Sequence, residues 1–361
     1  MIRRNLTHRR VTKAPERSGA VLCALLALLL VSCDRKEATP DWDRPGEAPA
    51  ATVEEASPAA PADQPTPAEP EPAVSPAPER PATAKPSEAG LRVMAYNVEN
   101  WLTMDRYIDN KPVKQAPKPQ HERDNVVRII ANQKPDVLGV CEIGQASDLA
   151  EIQESLETAG WRMAHSHYTG GSDEVRHLGL LSRFPITSTA KPAETEFKLQ
   201  GHTYSINRGI LDATVEARGK SYRFLGVHLK SKREVPEFDQ EEMRVSEARL
   251  LRRHVDSIFE TDPDARLVVY GDFNDTRPTS TVKTITGSYN SPGYLTAVPF
   301  KDSRGEAWTH YWRPHDIYSR IDFLMVSRSL RQELDFKASH IADDPQWFEA
   351  SDHRPVVAIF R

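Results

Sequence analysis

RLVVYGDFND, at residues 266–275, is the most informative stretch of the chain. An apolar, β-branched run stops at Gly271 and is followed by Asp272 and Asn274, which is typical of a buried strand that opens into a loop. If the strand geometry continues, these two side chains point to the same side. The carboxylate could then hold a hard cation or accept a proton, and the amide could donate to a phosphate oxygen. The alternative is an Asp/Asn turn that hydrogen-bonds its own backbone.

The same arrangement, an apolar strand that ends in a polar side chain, recurs along the chain. It predicts strands that end at Asn97, Glu142, His228 and Asp322, and the pair Asp352-His353 just before the final strand. Taken alone, His228 is better explained as a buried core histidine than as a catalytic residue. Functional loops begin where buried strands end, so the combination favours one catalytic site built from six distant segments.

The intervening segments predict a mixed α/β fold. Helical patterns cover 122–132, 146–159 and 238–259, and strand patterns cover 177–182, 204–216 and 222–230. We expect a loop at 111–119 and an irregular region after residue 275. The final strand reaches the end of the sequence, which leaves no room there for a second folded domain.

The N-terminal segment predicts export and tethering. Basic residues 3–17 precede an apolar block of about a dozen residues that is too short to span a bilayer, and the block ends at Cys33. This segment resembles a bacterial lipoprotein signal peptide (1–33), which implies lipidation of Cys33 and anchoring in the bacterial cell envelope. An ordinary secretory signal or a signal anchor is the alternative, and the sequence does not decide between inner and outer membrane. Residues 34–89 are rich in Pro, Ala and Glu and predict a disordered spacer, which leaves 90–361 as the folded domain.

Composition limits the kind of partner. Lys and Arg number 47 against 52 Asp and Glu, a net charge of −5, so the chain lacks the positive excess of a protein that grips nucleic acid over a broad surface. Binding of a polyanion must therefore be local or assisted by a metal. Cys141 is the one cysteine of the folded domain, and its apolar surroundings indicate a core residue rather than a nucleophile.

From Leu91 to Arg361 the sequence resembles the endonuclease/exonuclease/phosphatase superfamily. The resemblance rests on the segments YNVE (96–99), VCE (140–142), GVHL (226–229), GDFN (271–274), RIDF (320–323) and SDH (351–353). It implies two mixed β-sheets packed face to face with helices outside, a four-layer αββα sandwich. It also implies a Mg²⁺-dependent phosphoesterase site at one end of the sandwich.

The resemblance assigns a role to each strand-end residue. Glu142 corresponds to the principal metal ligand, with Asn97 and Asp352 as helpers and Glu99 in a lesser supporting role. His353 corresponds to the catalytic histidine, Asp322 to the acid that orients it, and Asp272 to the group that positions or deprotonates the attacking water; Asn274 and His228 steady the phosphoryl oxygens. An oxygen-rich site of this kind suits Mg²⁺, or Mn²⁺.

Two further groups of residues have open interpretations. Trp308, Tyr311 and Trp312 lie either near the phosphate pocket or in the core. The cluster of Lys230, Lys232 and Arg233 either contacts a polyanion or forms a solvated loop.

The leading functional hypothesis is an exported, membrane-tethered, metal-dependent phosphodiesterase, monomeric, that acts as an endonuclease or exonuclease on DNA or RNA. The alternatives are a phosphatase, a sphingomyelinase-like phospholipid phosphodiesterase, and, as the least favoured, a non-catalytic binding module. The presence of Glu142, Asp272 and His353 argues against the module. The sequence does not separate endo from exo cleavage.

Overall fold

The computed structural model describes residues 90–233 and 239–361. The predicted signal peptide (1–33) with its lipidated Cys33, and the predicted spacer (34–89), lie outside the described residues. None of the helices in the described part of the chain is long and apolar enough to cross a membrane.

The described residues form short strands and a few helices. The strands are Leu91–Trp101 (β1), Met104–Ile108 (β2), Lys111–Ala116 (β3), Val137–Ile143 (β4), His165–Thr169 (β5), His177–Ser182 (β6), Ile186–Thr189 (β7), Glu196–Leu199 (β8), His202–Ser205 (β9), Leu211–Ala217 (β10), Lys220–His228 (β11), Leu267–Asp272 (β12), Thr296–Ala297 (β13), His310–Trp312 (β14), Ile317–Ser319 (β15), Asp322–Val326 (β16), His340–Ile341 (β17) and Val356–Phe360 (β18). The α-helices are Gln120–Gln133 (α1), Ala146–Thr158 (α2), Gln240–Thr261 (α3), Ser280–Thr286 (α4) and Arg328–Arg331 (α5). Single 3₁₀ turns lie at Arg313–His315 and Trp347–Glu349.

Two six-stranded mixed sheets form the centre of the fold. The strand order is β17-β18-β1-β4-β6-β5 in the first sheet and β13-β16-β12-β11-β10-β7 in the second. A core of side chains from both sheets lies between them. Gly139 of β4 lets the sheets approach, because a Cβ there would lie 1.9 Å from the Tyr270 ring of β12. These contacts confirm the predicted face-to-face packing.

Helices cover the outer faces of both sheets. The side chains of β1 alternate, with Val93 and Ala95 in the central core and Met94 and Tyr96 in a second core beneath α1 and α2. A third core joins α3 to the outer face of the second sheet. Full burial of each large apolar side chain contributes roughly 1.5–3 kcal/mol. The layers are therefore helix, sheet, sheet, helix, as predicted.

The directions of the strands bring the predicted site residues to one edge. Strand β1 runs parallel to β4, with Asn97 opposite Cys141, and β11 runs parallel to β12, with His228 opposite Asp272. Antiparallel β16 begins at Asp322, rather than ending there as predicted, so that Asp272 at the end of β12 lies opposite Asp322. Residues carried by distant segments thus share one end of the sandwich.

Three predicted elements were wrong in detail. The expected loop at 111–119 contains strand β3, which forms a hairpin with β2; its side chains are polar and exposed, so no apolar alternation marks it. The expected strand at 204–216 is two strands, because β9 ends at Ser205 and β10 begins at Leu211. The segment between them contains Gly209, whose φ of +74° is not a strand conformation. The region after residue 275 contains helix α4.

Candidate active site

His353 and Asp322 form a buried pair. Nδ1 of His353 lies 2.8 Å from Oδ2 of Asp322. Burial alone would lower the pKa of His353, but the charges of Asp322 and Asp352 outweigh it and raise that pKa well above its usual value. The imidazole is therefore protonated at neutral pH and can donate through Nε2.

Thr309 fixes the position of Asp322. Its buried hydroxyl oxygen accepts the backbone N–H groups of Ile321 and Asp322 at 3.2 and 3.1 Å. On the other side, the Ser351 hydroxyl accepts the N–H of His353 and donates to the carbonyl of Asn97. Thr309 and Ser351 are fully buried, so the pair is held in place before any substrate binds.

The side-chain amide of Asn97 connects the catalytic pair to the acidic residues. Its Nδ2 lies 3.0 Å from Oε1 of Glu142, 3.3 Å from Oδ2 of Asp272 and 3.4 Å from Nε2 of His353. The carboxylate at 142 and the imidazole at 353 thus contact the same atom. The convergence of the distant segments, on which the enzymatic interpretation depends, is present.

In the GDFND segment the expected continuation of the strand through Asn274 was wrong, and the alternative, an Asp turn, is present. The strand does not continue through Asn274, whose φ is +50°, and the Asn274 N–H donates to Oδ1 of Asp272 at 2.8 Å, as in an Asp turn. Nevertheless Oδ2 of Asp272 faces the site, 3.7 Å from Nε2 of His353. Burial raises the pKa of Asp272 to about 7, even though the charge of His353 lowers it. A carboxylate with this pKa suits proton transfer at neutral pH.

His228 is neutral in this environment. Its Nε2 lies 3.6 Å from Oδ2 of Asp272 and 3.8 Å from Oε1 of Glu142. Burial first, and the charge of Arg208 second, hold the pKa of His228 well below its usual value. Its buried Nδ1 has no hydrogen-bond partner among the described residues. The ring therefore stands at the site as a neutral imidazole rather than as a cation.

Acidic side chains crowd beside this centre. Oε2 of Glu142 accepts the Asn100 N–H at 3.1 Å, and Oε2 of Glu99 accepts the Asp352 N–H at 3.0 Å. Burial and the charge of Asp352 raise the pKa of Glu99 to about 8. Carboxylates that crowd in this way favour a cation among them. The donor set therefore fits a hard divalent metal.

Two groups of side chains have ligand atoms within 4.8 Å of one another, one formed by Asp272, Asp322 and His353 and the other by His310, Asp352 and His353. Among the described residues Glu142 belongs to neither group. Asn97 turns its amide N–H groups toward the site, while its Oδ1 accepts the Glu99 N–H. The roles of Asn97, Glu142 and Asp352 as metal ligands stay predictions.

Backbone strain is present at the same place. Glu99, Asn100, Glu142 and Asn274 all have φ between +47° and +64°, a region that non-glycine residues seldom adopt. Each costs on the order of 1–3 kcal/mol and persists only where the surroundings enforce it, commonly at functional sites. No sequence pattern indicated this strain.

The structure also separates the residues whose interpretation was open. Lys232 forms an ion pair with Asp275 at 3.0 Å, so it is engaged within the protein. Trp308 packs against Tyr318 and Trp347, whereas Trp312 is 39% exposed. Cys141 is buried in the core, as predicted.

Sequence reasoning missed His310. Its ring centroid lies 4.6 Å from that of His353, and its Nε2 lies 3.7 Å from Oδ2 of Asp352. The residue is carried by β14, a three-residue strand without an apolar pattern, so no sequence signal placed it here.

Comparisons with known proteins identify the family and the fold. Residues 113–353 match the model of the Endonuclease/Exonuclease/phosphatase family. No curated protein matches the sequence.

Solved structures with the same fold include an endonuclease/exonuclease/phosphatase from Bacteroides vulgatus, with 17% identity, a TM-score of 0.54, and coverage of 76% of this chain and 99% of that one. The human Nocturnin catalytic domain with bound sulfate shares 18% identity, with a TM-score of 0.53 over 75% and 94% of the two chains. The 3′ phosphatase NExo from Neisseria, bound to a product DNA hairpin, shares 16% identity, with a TM-score of 0.51 over 75% and 99%.

The family match covers two thirds of the chain and includes every strand-end residue of the site from Glu142 to His353. The structural similarities, at these identities, show the fold. The chain belongs to the endonuclease/exonuclease/phosphatase family and is a metal-dependent hydrolase of phosphate esters.

Proposed function

We propose that the chain is an exported, membrane-tethered, Mg²⁺-dependent phosphodiesterase that hydrolyses DNA or RNA. The observation that carries the proposal is the convergence of Glu142, Asp272 and His353 on the Asn97 amide. Water attacks phosphorus, the P–O bond to the leaving oxygen breaks, and that oxygen receives a proton. Mn²⁺ is an acceptable substitute for Mg²⁺ at an oxygen-rich site.

The residues divide this work between them. Asp272, with its pKa near neutrality, orients the water and takes its proton. Protonated His353, oriented by Asp322, donates toward the phosphoryl or leaving oxygen, and His228 holds another oxygen as charge builds. The predicted role of Asn274 is less well supported, because its amide donates to the carbonyl of Leu229 at 3.0 Å and to Oδ2 of Asp272 at 3.3 Å. Glu142 and Asp352 would hold the metal. Asn97 would join them only through Oδ1, which here accepts the Glu99 N–H. A bound divalent ion would supply charge stabilisation at the phosphoryl group.

An exposed hairpin beside the site favours nucleic acid over other phosphate esters. Strands β14 and β15 pair Trp312 with Ile317, both of which are exposed. Side chains alternate along a strand, so Trp312 lies on the same face as His310, which contacts His353. The Trp312 ring lies two residues, about 7 Å, along the strand from this contact and packs against the His315 ring at 4.2 Å. This aromatic pair, exposed at the edge of the site, is suited to stacking on a nucleic-acid base.

Aromatic contacts hold the β14–β15 hairpin in place, and its turn is polar. Tyr311 stacks on Tyr318 at 4.5 Å, and Tyr318 packs on Trp308 at 4.8 Å. The turn contains the exposed Arg313 and Asp316. Insertion into lipid would bury these charges, which is costly, and this argues for a base rather than a membrane as the partner of the face.

The first test is cleavage by the purified domain. With Mg²⁺ or Mn²⁺ we expect hydrolysis of single-stranded DNA or RNA and loss of that activity in EDTA, because the acidic cluster cannot organise the site without a cation. Sphingomyelin, phosphoinositides and a phosphomonoester serve as comparison substrates. Metal-dependent release of phosphocholine or inorganic phosphate, with intact nucleic acid, would replace the nuclease assignment by one of the alternative activities.

Export and tethering are proposed from the N-terminal sequence. If Cys33 is lipidated, the full chain sediments with membranes, and Cys33→Ala releases it into the soluble fraction. Because residue 33 is distant in sequence from the domain, we expect the nuclease activity of the variant to be unaltered. A Cys33→Ala chain that remains in the membrane fraction would support a signal anchor instead.

A further inference from the structure

Two histidines and an aspartate meet at the outer edge of the catalytic pair. Ligand atoms of His310, Asp352 and His353 all lie within 4.8 Å of one another. The Asp352 carboxylate stands between the two rings, with Oδ1 3.7 Å from Nε2 of His353 and Oδ2 3.7 Å from Nε2 of His310. The hydrolysis described above gives His310 no role, so that reaction does not account for its place in this group.

Backbone hydrogen bonds hold the two segments that carry these residues side by side. His310 and His353 form an antiparallel β-bridge. On either side of the bridge, the Tyr311 N–H donates to the carbonyl of Asp352 at 3.0 Å, and the Arg354 N–H donates to the carbonyl of Thr309 at 2.6 Å. Side chains directly opposite each other in such a pair have Cβ atoms about 4.5–5.5 Å apart. The fold itself therefore keeps the two imidazole rings together.

His353 presents Nε2 to this group as a metal-binding histidine does. Its Nδ1 lies 2.8 Å from Oδ2 of Asp322, which fixes the ring and leaves Nε2 for a second partner. Histidines that ligate metals commonly hydrogen-bond a carboxylate through the other ring nitrogen, which orients the ring and raises its basicity as a ligand. The pair that orients His353 for proton donation therefore also prepares it to bind a metal.

The donor atoms distinguish this group from the carboxylates around Glu142. Two imidazole nitrogens and one carboxylate oxygen suit Zn²⁺, whereas Mg²⁺ prefers oxygen ligands alone. With bonds of about 2.0–2.2 Å, the ligand atoms of a tetrahedral zinc site lie roughly 3.4 Å apart, so the separations on either side of Asp352 need only a small closure. The Asp352 side chain is 42% exposed, which gives an ion access from solvent.

We propose that His310, Asp352 and His353 bind Zn²⁺ and that zinc at this site inhibits the hydrolase. The ion bonds to the Nε2 lone pair of His353, and the proton that Nε2 carried is released to solvent. His353 then has no proton to donate to the phosphoryl or leaving oxygen. Zinc also competes with Mg²⁺ for Asp352. The inhibition rests on the proposed function, whereas the zinc site rests on the geometry of the three side chains.

Calorimetry tests the site without reference to catalysis. With Mg²⁺ in excess, we expect the full chain to bind Zn²⁺ and His310→Asn to bind it roughly 10- to 100-fold more weakly, since even a residue that only supports a metal ligand contributes this much. His121→Asn, at an exposed histidine on α1, is the matched control. Equal zinc affinity in wild type and His310→Asn would overturn the site.

Co²⁺ in place of Zn²⁺ adds a spectroscopic readout. Its visible absorption bands should intensify on binding to wild type and to His121→Asn, and this change should be lost in His310→Asn, which removes one nitrogen ligand. Circular dichroism and Tm show whether the variant is folded, and His310→Gln repeats the test with a side chain closer in length to histidine. Wild-type cobalt bands in folded His310→Asn or His310→Gln would contradict the assignment.

Inhibition is measured on the Mg²⁺-loaded chain with an oligonucleotide. Added Zn²⁺ should lower kcat/KM, and a zinc chelator should restore it. Relative to each variant's own zinc-free rate, the zinc concentration that halves the rate should rise roughly 10- to 100-fold in His310→Asn and stay at the wild-type value in His121→Asn. Equal inhibition of wild type and His310→Asn would mean that zinc only replaces Mg²⁺, which overturns the inference.

The two measurements separate failure of this inference from failure of the proposed function. Zinc that binds through His310 without inhibiting a chain that cleaves nucleic acid refutes the inhibition. A chain that cleaves no nucleic acid in Mg²⁺ refutes the proposed function, and the calorimetric comparison of wild type with His310→Asn still decides the zinc site.

Discussion

His353→Asn is expected to reduce kcat/KM for phosphodiester hydrolysis by roughly 10²- to 10⁴-fold, the contribution usual for a positioned acid–base group. The physical reason is the loss of the protonated imidazole that Asp322 orients at 2.8 Å. Steady-state rates on an oligonucleotide and on bis(p-nitrophenyl) phosphate should fall together, because the missing group acts on the phosphate that reacts.

The matched control is His121→Asn, at an exposed histidine on α1. It should leave the rate within twofold of wild type. The affinity of His353→Asn for Mn²⁺, measured by calorimetry, separates two roles for His353. An affinity close to wild type agrees with a proton donor, whereas a loss above tenfold would instead make His353 a metal ligand, as its proximity to His310 and Asp352 would allow.

Glu142→Gln is expected to weaken Mg²⁺ or Mn²⁺ binding by roughly 100-fold and to lower activity at limiting metal by a similar factor. Mutation of a residue that only hydrogen-bonds to a metal ligand typically lowers metal affinity roughly 10- to 100-fold. The Glu142 carboxylate would contact the ion itself, so we expect an effect at the upper end of this range. The amide keeps the size of the side chain, so its packing beside Asn97 and Asn100 is largely retained. Calorimetric titration, together with activity as a function of metal concentration, measures both effects.

Glu154→Gln, at an exposed position on α2, is the control for the removal of one negative charge. Excess metal should restore part of the activity of Glu142→Gln, which no simple folding defect would allow. Wild-type metal affinity in this variant would contradict the assignment. Such a result would instead indicate that the metal binds one of the two groups of side chains that contain His353.

Several features of the fold were predictable from the sequence because they depend on local chemistry. Apolar runs that end in polar residues marked the strands that close at Asn97, Glu142, His228 and Asp272, and each of these positions lies at the common edge of the sandwich. Burial on both faces of β1 and β12 requires continuous apolar sequence, which is why these strands were readily identified. The hairpin of β2 and β3, whose side chains face solvent, left no such pattern.

Most residues of the site, although not His310, were named from the sequence, but their arrangement is a tertiary property. Only the folded chain shows that the Asn97 amide reaches Glu142, Asp272 and His353 together, since these contacts join residues up to 256 positions apart. The turn that lets Asn274 donate to Asp272 depends on a positive φ that no residue type guarantees.

Arg208 shows most clearly the difference between what the sequence predicts and what only the folded chain shows. In sequence it is an arginine between two short strands, and nothing distinguishes it from the many exposed arginines of the chain. The fold buries it and leaves Nη1 without a hydrogen-bond partner among the described residues. Sequence by itself determined which elements form and which reactive groups end them, because those depend on local polarity and periodicity. The tertiary structure alone decided which of those groups meet and which charges are desolvated, because both depend on contacts between segments far apart in the chain.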